Sequence, residues 1–302
     1  MNTQPRFSPR ALGIAQILLS GFCFGFLGLF GKAAFAKGVT PGELLSFRFT
    51  FAGVLLLSFL ALRSPDRLRL PRAKIVWSVL LGIFGYAVFS FFYFQALKGL
   101  SVSLTVLLLY TYPISVAAGA WIFLGEKIPR NRLFVIPMAT LGLAGLVWGD
   151  FYVTNAVALG FGIASAVFYS AYILFSRKQL EGVDVLPSAG IMQLAAGLTL
   201  GLFNWRDPAH VVALISEIWP LLLGLALICS IAAMSLFLAG LQKLRSWEVS
   251  ILSTSEPVTS ILIAFIFLDE RLSHLQTLGG CLVLLAFIFV SLPTRKKVRA
   301  NG

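Results

Sequence analysis

The chain has 302 residues, 58% of them hydrophobic and only 12% charged, with a mean hydropathy of +0.90. A soluble domain carries about a quarter charged residues, so apolar runs at this density mean an all-α protein that crosses a bilayer many times. The net charge of +12 does not indicate a nucleic-acid partner, because the Lys and Arg residues sit in short clusters between apolar runs, where they set topology.

Arg6 and Arg10 precede the first run, which ends near Ala34-Phe35-Ala36 in the manner of a cleavage site. A secretory core is about 7–15 residues, and this run is longer. Its start, Ala11-Leu12-Gly13, recurs at Ala158-Leu159-Gly160, so it reads as a retained first helix. Ten runs are expected to span, near 11–35, 41–62, 74–97, 101–123, 131–149, 156–176, 187–204, 219–241, 246–268 and 273–292. The seventh is short and weakly apolar, and is the poorest candidate. Cys23, Cys229 and Cys281 fall in three different runs without a CxxC spacing, which indicates neither a zinc site nor a disulfide framework. No metal or cofactor is expected.

Taken in order, the spans carry few polar groups. Gly21 and Gly25 in the first form a small-xxx-small pair suited to close helix approach. Gly25 to Lys32 lacks the spacing and the hydroxyl of a phosphate-binding loop. Arg48, about 10 Å deep in the second span, is suited to gripping a carboxylate; snorkelling outward or pairing with Glu43 is the preferred reading. The third span places Tyr86, Phe89, Ser90 and Tyr93 on one side, with Gln95 nearer its end. The fourth offers Tyr110 and Tyr112, and the sixth Ser165, Phe168, Tyr169 and Tyr172. Tyrosines at this depth need partners for their hydroxyls and tend to face protein or water. Together they describe a cage for a planar or apolar solute, beside the plainer reading of aromatic packing. His210 and His274 read as solvated loop residues. In the ninth span Ser250, Ser253, Glu256 and Ser260 share a helical face, and Glu256 lies about ten residues in, near the midplane. A carboxylate there is costly and by default functional: it binds an ammonium, carries a coupling proton, or pairs with Arg48 as a structural ion pair.

The strongest pattern is a repeat. Residues 101–127 and 246–271 align without a gap at an offset of 144, which sets Pro257 on Pro113, Glu270 on Glu126 and Arg271 on Lys127. Glu126 and Glu270 then anchor helix ends at opposite faces. Two five-helix units are expected, 11–149 and 156–292, followed by a basic tail at 293–302. Five is odd, so the second unit is inverted, and a solute site is expected at the interface of the halves near the midplane. The N-terminus, the alternate loops and the tail hold 18 of the 24 Lys and Arg residues, which puts both termini in the cytoplasm.

Ten helices as five plus five, a mid-helix proline, and Gly/Asp-Glu-Lys/Arg closing the fourth helix of each unit resemble the EamA-type branch of the drug/metabolite transporter superfamily. Leu278-Gly279-Gly280 and Arg48 also fit that resemblance. Among its members the chain looks most like the YddG-type exporters of aromatic amino acids, through its overall look and aromatic-rich interior. The departure is Tyr112, standing where the second unit has Glu256, so the acid is single. The resemblance implies a multi-pass protein of the bacterial inner (plasma) membrane that exports a small amphipathic metabolite, an amino acid such as Trp, Phe or Tyr first of all. A drug or lipid-headgroup exporter is the alternative. Its partners are then a small-molecule substrate and the lipid bilayer, with a monomer as the expected state. An intramembrane enzyme would need a nucleophile and base or a ligand cluster within the spans, and the sequence offers none.

Overall fold

Within a bilayer every backbone polar group must be satisfied inside its own segment, so these runs are helical. The computed structural model describes residues 8–149, 151–205, 207–267 and 271–292; Glu270 and the basic tail lie outside the described residues. Nine described helices are long and apolar enough to cross a membrane: α1 Pro9–Phe35, α2 Pro41–Arg63, α3 Arg72–Leu97, α4 Val102–Leu124, α6 Ala156–Gln179, α7 Val185–Asn204, α8 Ala209–Leu241, α9 Ser246–Phe267 and α10 His274–Ser291. The remaining helix, α5, is only Val135–Leu146.

Three expectations about the spans change. The poorest candidate, α7, is a full 20-residue helix. Its hydropathy is diluted by Ser188, Ala189, Gly190, Ala196 and Gly197, which are buried against α2 and α3. A helix wrapped in protein does not need a lipid-facing composition. Asp184 caps it, accepting from Leu186 N at 3.1 Å. Arg67 Nη2 donates to Asp184 Oδ1 at 2.8 Å, and this bonded guanidinium holds the Asp184 carboxyl below its usual range. The short helix is α5 instead, with 12 residues, and it packs along α10. Finally, α8 begins well before residue 219, because Asp207 accepts from Ala209 N at 3.0 Å and starts a helix there. His210 therefore sits on a helix rather than in a loop, with Nε2 3.4 Å from Glu43 Oε1. His274 likewise opens α10.

Several helices are interrupted, and the interruptions recur in the two halves. A π-helical turn occupies Leu81–Ala87 in α3 and Leu227–Ala232 in α8. α4 breaks at Tyr110-Thr111 and α9 at Ser253-Thr254, each just ahead of a proline, Pro113 or Pro257. Proline has no N–H for the carbonyl one turn back and its ring crowds it, which explains both breaks. The packing follows the same exchange. α1 lies on α8 and α9 as α6 lies on α3 and α4, while α2 meets α7, α4 meets α9 and α5 meets α10.

Close approach between helices is made by glycine. A Cβ on Gly25 would stand 2.6 Å from Thr259 Cβ of α9, and Ser260 Oγ donates to the Gly25 carbonyl at 3.2 Å. A Cβ on Gly279 of α10 would stand 2.7 Å from the Gly145 carbonyl carbon of α5. Gly25→Ala is accordingly expected to lower stability by about 1–3 kcal/mol through overpacking. Gly28→Ala, where a Cβ meets nothing within 4 Å, should be neutral or stabilising by up to about 1 kcal/mol. Melting temperatures of the two purified variants check this; equal shifts would mean that α1 and α9 do not pack this closely.

The main cluster of the apolar core runs from Val290, near Leu292, to Leu146 and Leu200, and two smaller clusters fork from it toward the face opposite Ser8. There one cluster joins Ala34, Leu44, Phe47, Leu214 and Leu222 of α1, α2 and α8. A separate cluster joins Ala96, Leu100 and Ala158 around α3 and α6.

Candidate functional site

The breaks in α4 and α9 bring their middles together at the fork of the core. With α9 interrupted, Thr254 N turns to Ile251 O, and the Ser250 carbonyl is left without its usual amide. Tyr112 OH donates to it at 2.9 Å. One tyrosine thus repairs the broken helix of the other half. The α9 break also splits the expected polar stripe. Ser250 and Ser253 bond back to Trp247 O and Val249 O, and Ser260 faces α1 rather than the interior. Only Ser253, beside Tyr112, and Glu256 remain near the centre.

A chain of aromatic contacts surrounds that centre. Tyr86 lies on the π-turn of α3, a local widening often found at functional positions, with Phe89 at 5.1 Å and Tyr172 at 5.2 Å between ring centroids. Phe89 meets Tyr169 at 5.0 Å, Tyr169 meets Tyr112 at 4.8 Å, and Tyr112 meets Tyr110 at 6.2 Å. Two further rings, which the sequence does not single out, extend the system: Phe49 of α2, 4.9 Å from Tyr86, and Phe237 of α8, 6.2 Å from Tyr172. Gly85 makes room, since a Cβ there would stand 2.8 Å from Tyr172 Cδ2. Phe168 instead meets Phe92, at 5.2 Å between ring centroids with the planes tilted by 42°. Tyr93 touches Phe94 and stands near Glu256 and Tyr110.

Arg48 contradicts the reading preferred for it. It neither snorkels nor pairs with Glu43, whose carboxylate caps α2 through Thr40 N at 2.9 Å. Its side chain is 2% exposed, with the guanidinium carbon 4.4 Å from the centroid of the Phe49 ring and Tyr86 close by. Nε and Nη1 are buried without a hydrogen-bond partner. A buried guanidinium with idle donors is expensive. Arg48, Tyr86, Tyr93, Tyr110, Tyr112 and Tyr169 all lie within electrostatic range of Glu256. Glu256, Tyr93 and Tyr110 keep partial exposure there. The centre therefore offers a cation, an anion and aromatic faces at one place. Among the described residues no cluster of His, Cys, Asp or Glu is arranged to hold a metal.

The face carrying Ser8 is drawn shut beneath this site. Gly125 ends α4 in a left-handed turn, φ +64°, and so directs Glu126 onto the start of α9. The carboxylate accepts from Ser246 N at 2.9 Å and from Ser246 Oγ at 3.0 Å, an anion at a helix N-terminus. Arg245 Nη1 donates to Lys127 O at 2.8 Å, and Arg10 Nη2 to Glu248 Oε1 at 2.7 Å. Gln242 Nε2 donates to Leu180 O at 2.8 Å and Val183 O at 2.9 Å. Glu126 thus anchors a helix end, as the sequence suggested, but the end belongs to the other half.

Comparison with known proteins adds to this geometry. The EamA-like transporter family matches residues 11–148 and again residues 156–292. The uncharacterized inner membrane transporter YicL of Salmonella typhimurium is 24% identical, over 95% of this chain and 98% of its own. A probable amino-acid metabolite efflux pump of Escherichia coli is 25% identical, over 76% of this chain and 81% of its own. One crystal structure superposes with a TM-score of 0.76 at 21% identity, covering 94% of this chain and 96% of that one, a likeness of fold.

Proposed function

Because the chain belongs to the EamA-like transporter family, and is a multi-span membrane transporter rather than an enzyme, we propose that it exports a small zwitterion with an aromatic side chain. An aromatic amino acid is the best fit. The observation that carries this reading is the buried Arg48 guanidinium, with two donors unpartnered, set near Glu256 and the tyrosines. In it a substrate carboxylate takes the Arg48 donors, an ammonium lies toward Glu256, and the side chain stacks among Tyr86, Phe89, Tyr169 and Tyr172. The efflux-pump name of the Escherichia coli relative supports an amino-acid cargo.

In this reading residues 11–149 and 156–292 are inverted repeats, and the paired breaks in α3 and α8 and in α4 and α9 are the places where each half bends. Both termini are cytoplasmic, in a bacterial inner membrane. The closed face is then the cytoplasmic one, and the fork in the core is the outward path. Alternating access consists of opening the Glu126–Ser246 and Arg10–Glu248 contacts while the two outer clusters come together.

Counterflow in proteoliposomes tests the proposal. With vesicles preloaded with one unlabelled amino acid at a time, labelled tryptophan or phenylalanine should accumulate over aromatic preloads and be competed by few others. No accumulation over any amino acid would move the cargo to another metabolite class. Tyr169→Ala should weaken exchange of aromatic solutes by about tenfold, a stacking contribution of about 1–1.5 kcal/mol, and of small aliphatic ones much less. An equal loss for both would reduce the tyrosines to packing.

A further inference from the structure

A cavity of about 330 Å³ lies at the face carrying Ser8, away from the central site, and Arg10, Arg177, Lys243, Arg245, Trp247 and Glu248 line it. The geometry points to this cavity as a binding site for a phosphate group, supplied either by an anionic lipid headgroup or by free phosphate.

The charge balance leads there. Glu248 contributes the one carboxylate of the lining, and it is already engaged by Arg10 Nη2 at 2.7 Å and Arg245 N at 3.1 Å. The other three cations are met mainly by neutral groups. Lys243 Nζ donates to Ala239 O at 2.9 Å and Arg245 Nη1 to Lys127 O at 2.8 Å. Among the described residues Arg177 is paired only with the outlying Glu181, at 3.9 Å. An ammonium carries three donors and a guanidinium five, so most of their hydrogen-bonding capacity is left over. Trp247 walls the cavity and is itself only 2% exposed.

Three cations around one concavity exceed what a carboxylate, with one charge and two oxygens, can satisfy. A phosphate brings more oxygens to a single centre and forms charge-assisted bonds with both Arg and Lys. The position agrees, since basic pockets between helices at the cytoplasmic surface are suited to lipid phosphates. An occupant would have a consequence for the fold. Arg177 ends α6, while Lys243 and Arg245 belong to the α8–α9 connection, so an anion joining them favours the arrangement in which this face is closed.

The test uses the purified full-length chain in neutral detergent, stripped of lipid, with melting temperature followed against inorganic phosphate, short-chain phosphatidylglycerol and short-chain phosphatidylcholine. A saturable rise with phosphatidylglycerol, absent with phosphatidylcholine and with phosphate, identifies a lipid-headgroup site. A saturable rise with phosphate alone identifies a site for the free anion. In either case Lys243→Gln and Arg177→Gln should each weaken the apparent affinity by about tenfold, the loss of one charge-assisted bond. Arg130→Gln, which removes an exposed cation of the same face outside the cavity, should not. The proposal is overturned if no ligand gives a saturable shift, if both cavity variants respond as the parent does, or if Arg130→Gln loses as much. Arg177→Gln alters a solvent-facing helix end and keeps the test usable should Lys243→Gln fold poorly. Failure here leaves the transport reading untouched, because that reading uses neither Lys243 nor Arg177.

Discussion

Arg48→Gln is expected to lower exchange of a carboxylate-bearing aromatic solute by roughly 30- to 1,000-fold, the loss of about 2–4 kcal/mol that follows when one partner of a buried charge pair is removed. The same change should leave the protein at least as stable. Arg48 is 2% exposed with Nε and Nη1 unpartnered, so these two donors are desolvated without a matching bond. A neutral amide of lower desolvation cost relieves that strain, and the melting temperature should hold or rise. Arg48→Lys should recover little, because an ammonium cannot reproduce the two parallel bonds of a guanidinium. The control is the amine lacking the carboxylate, for which Arg48→Gln should cost much less. An equal loss for acid and amine, or a falling melting temperature with both, would make Arg48 a structural residue.

The aromatic cluster shows how far the sequence alone could reach. Spacing marks Tyr86 and Phe89 within the third span, residue type and depth mark Tyr110, Tyr112, Tyr169 and Tyr172, and the structure brings all six into one chain of ring contacts. Tyrosine carries a signal because a hydroxyl at that depth requires a partner. Phe49 and Phe237 carry none, being two of 27 phenylalanines whose place at the centre is decided by which helix lies beside which. The breaks in α4 and α9 were visible as Pro113 and Pro257, while the π-turns of α3 and α8 depend on a hydrogen-bond register that no residue type announces.

Arg48 and Glu126 were misjudged or half-judged for the same reason. For Arg48 the sequence offers the outer headgroups or Glu43, and for Glu126 a helix end whose owner it does not identify. The structure satisfies Glu43 through Thr40 and His210 and directs Glu126 to Ser246 of the other half. Polar groups in a membrane find partners across helices, and a long-range partner is invisible until the helices are packed. α7 departs from expectation on the same account: hydropathy measures fitness for lipid, and most of this helix is packed against protein.

Glu256→Gln is expected to remove stimulation of transport by a proton gradient altogether while leaving exchange of unlabelled for labelled solute measurable. The argument begins from the asymmetry of the repeat. Tyr112 stands where the second half has Glu256, so the centre holds a single acid, with Arg48 in electrostatic range as its counter-charge. Its occupation by a proton and by a substrate ammonium are mutually exclusive ways of neutralising it. A carrier that must neutralise Glu256 before closing can return inward with a proton after releasing its cargo outward, which couples export to proton entry. Glutamine is neutral at every pH and needs no proton, so the return step loses its dependence on the gradient. It still accepts a hydrogen bond from an ammonium, though a weaker one, and exchange affinity should fall by only about tenfold. Proteoliposomes with and without an imposed pH difference separate the two effects. A variant that keeps the parent's response to the gradient would remove Glu256 from coupling and leave it as a binding group. A variant that exchanges nothing, yet melts as the parent does, would make the carboxylate indispensable to binding the cargo.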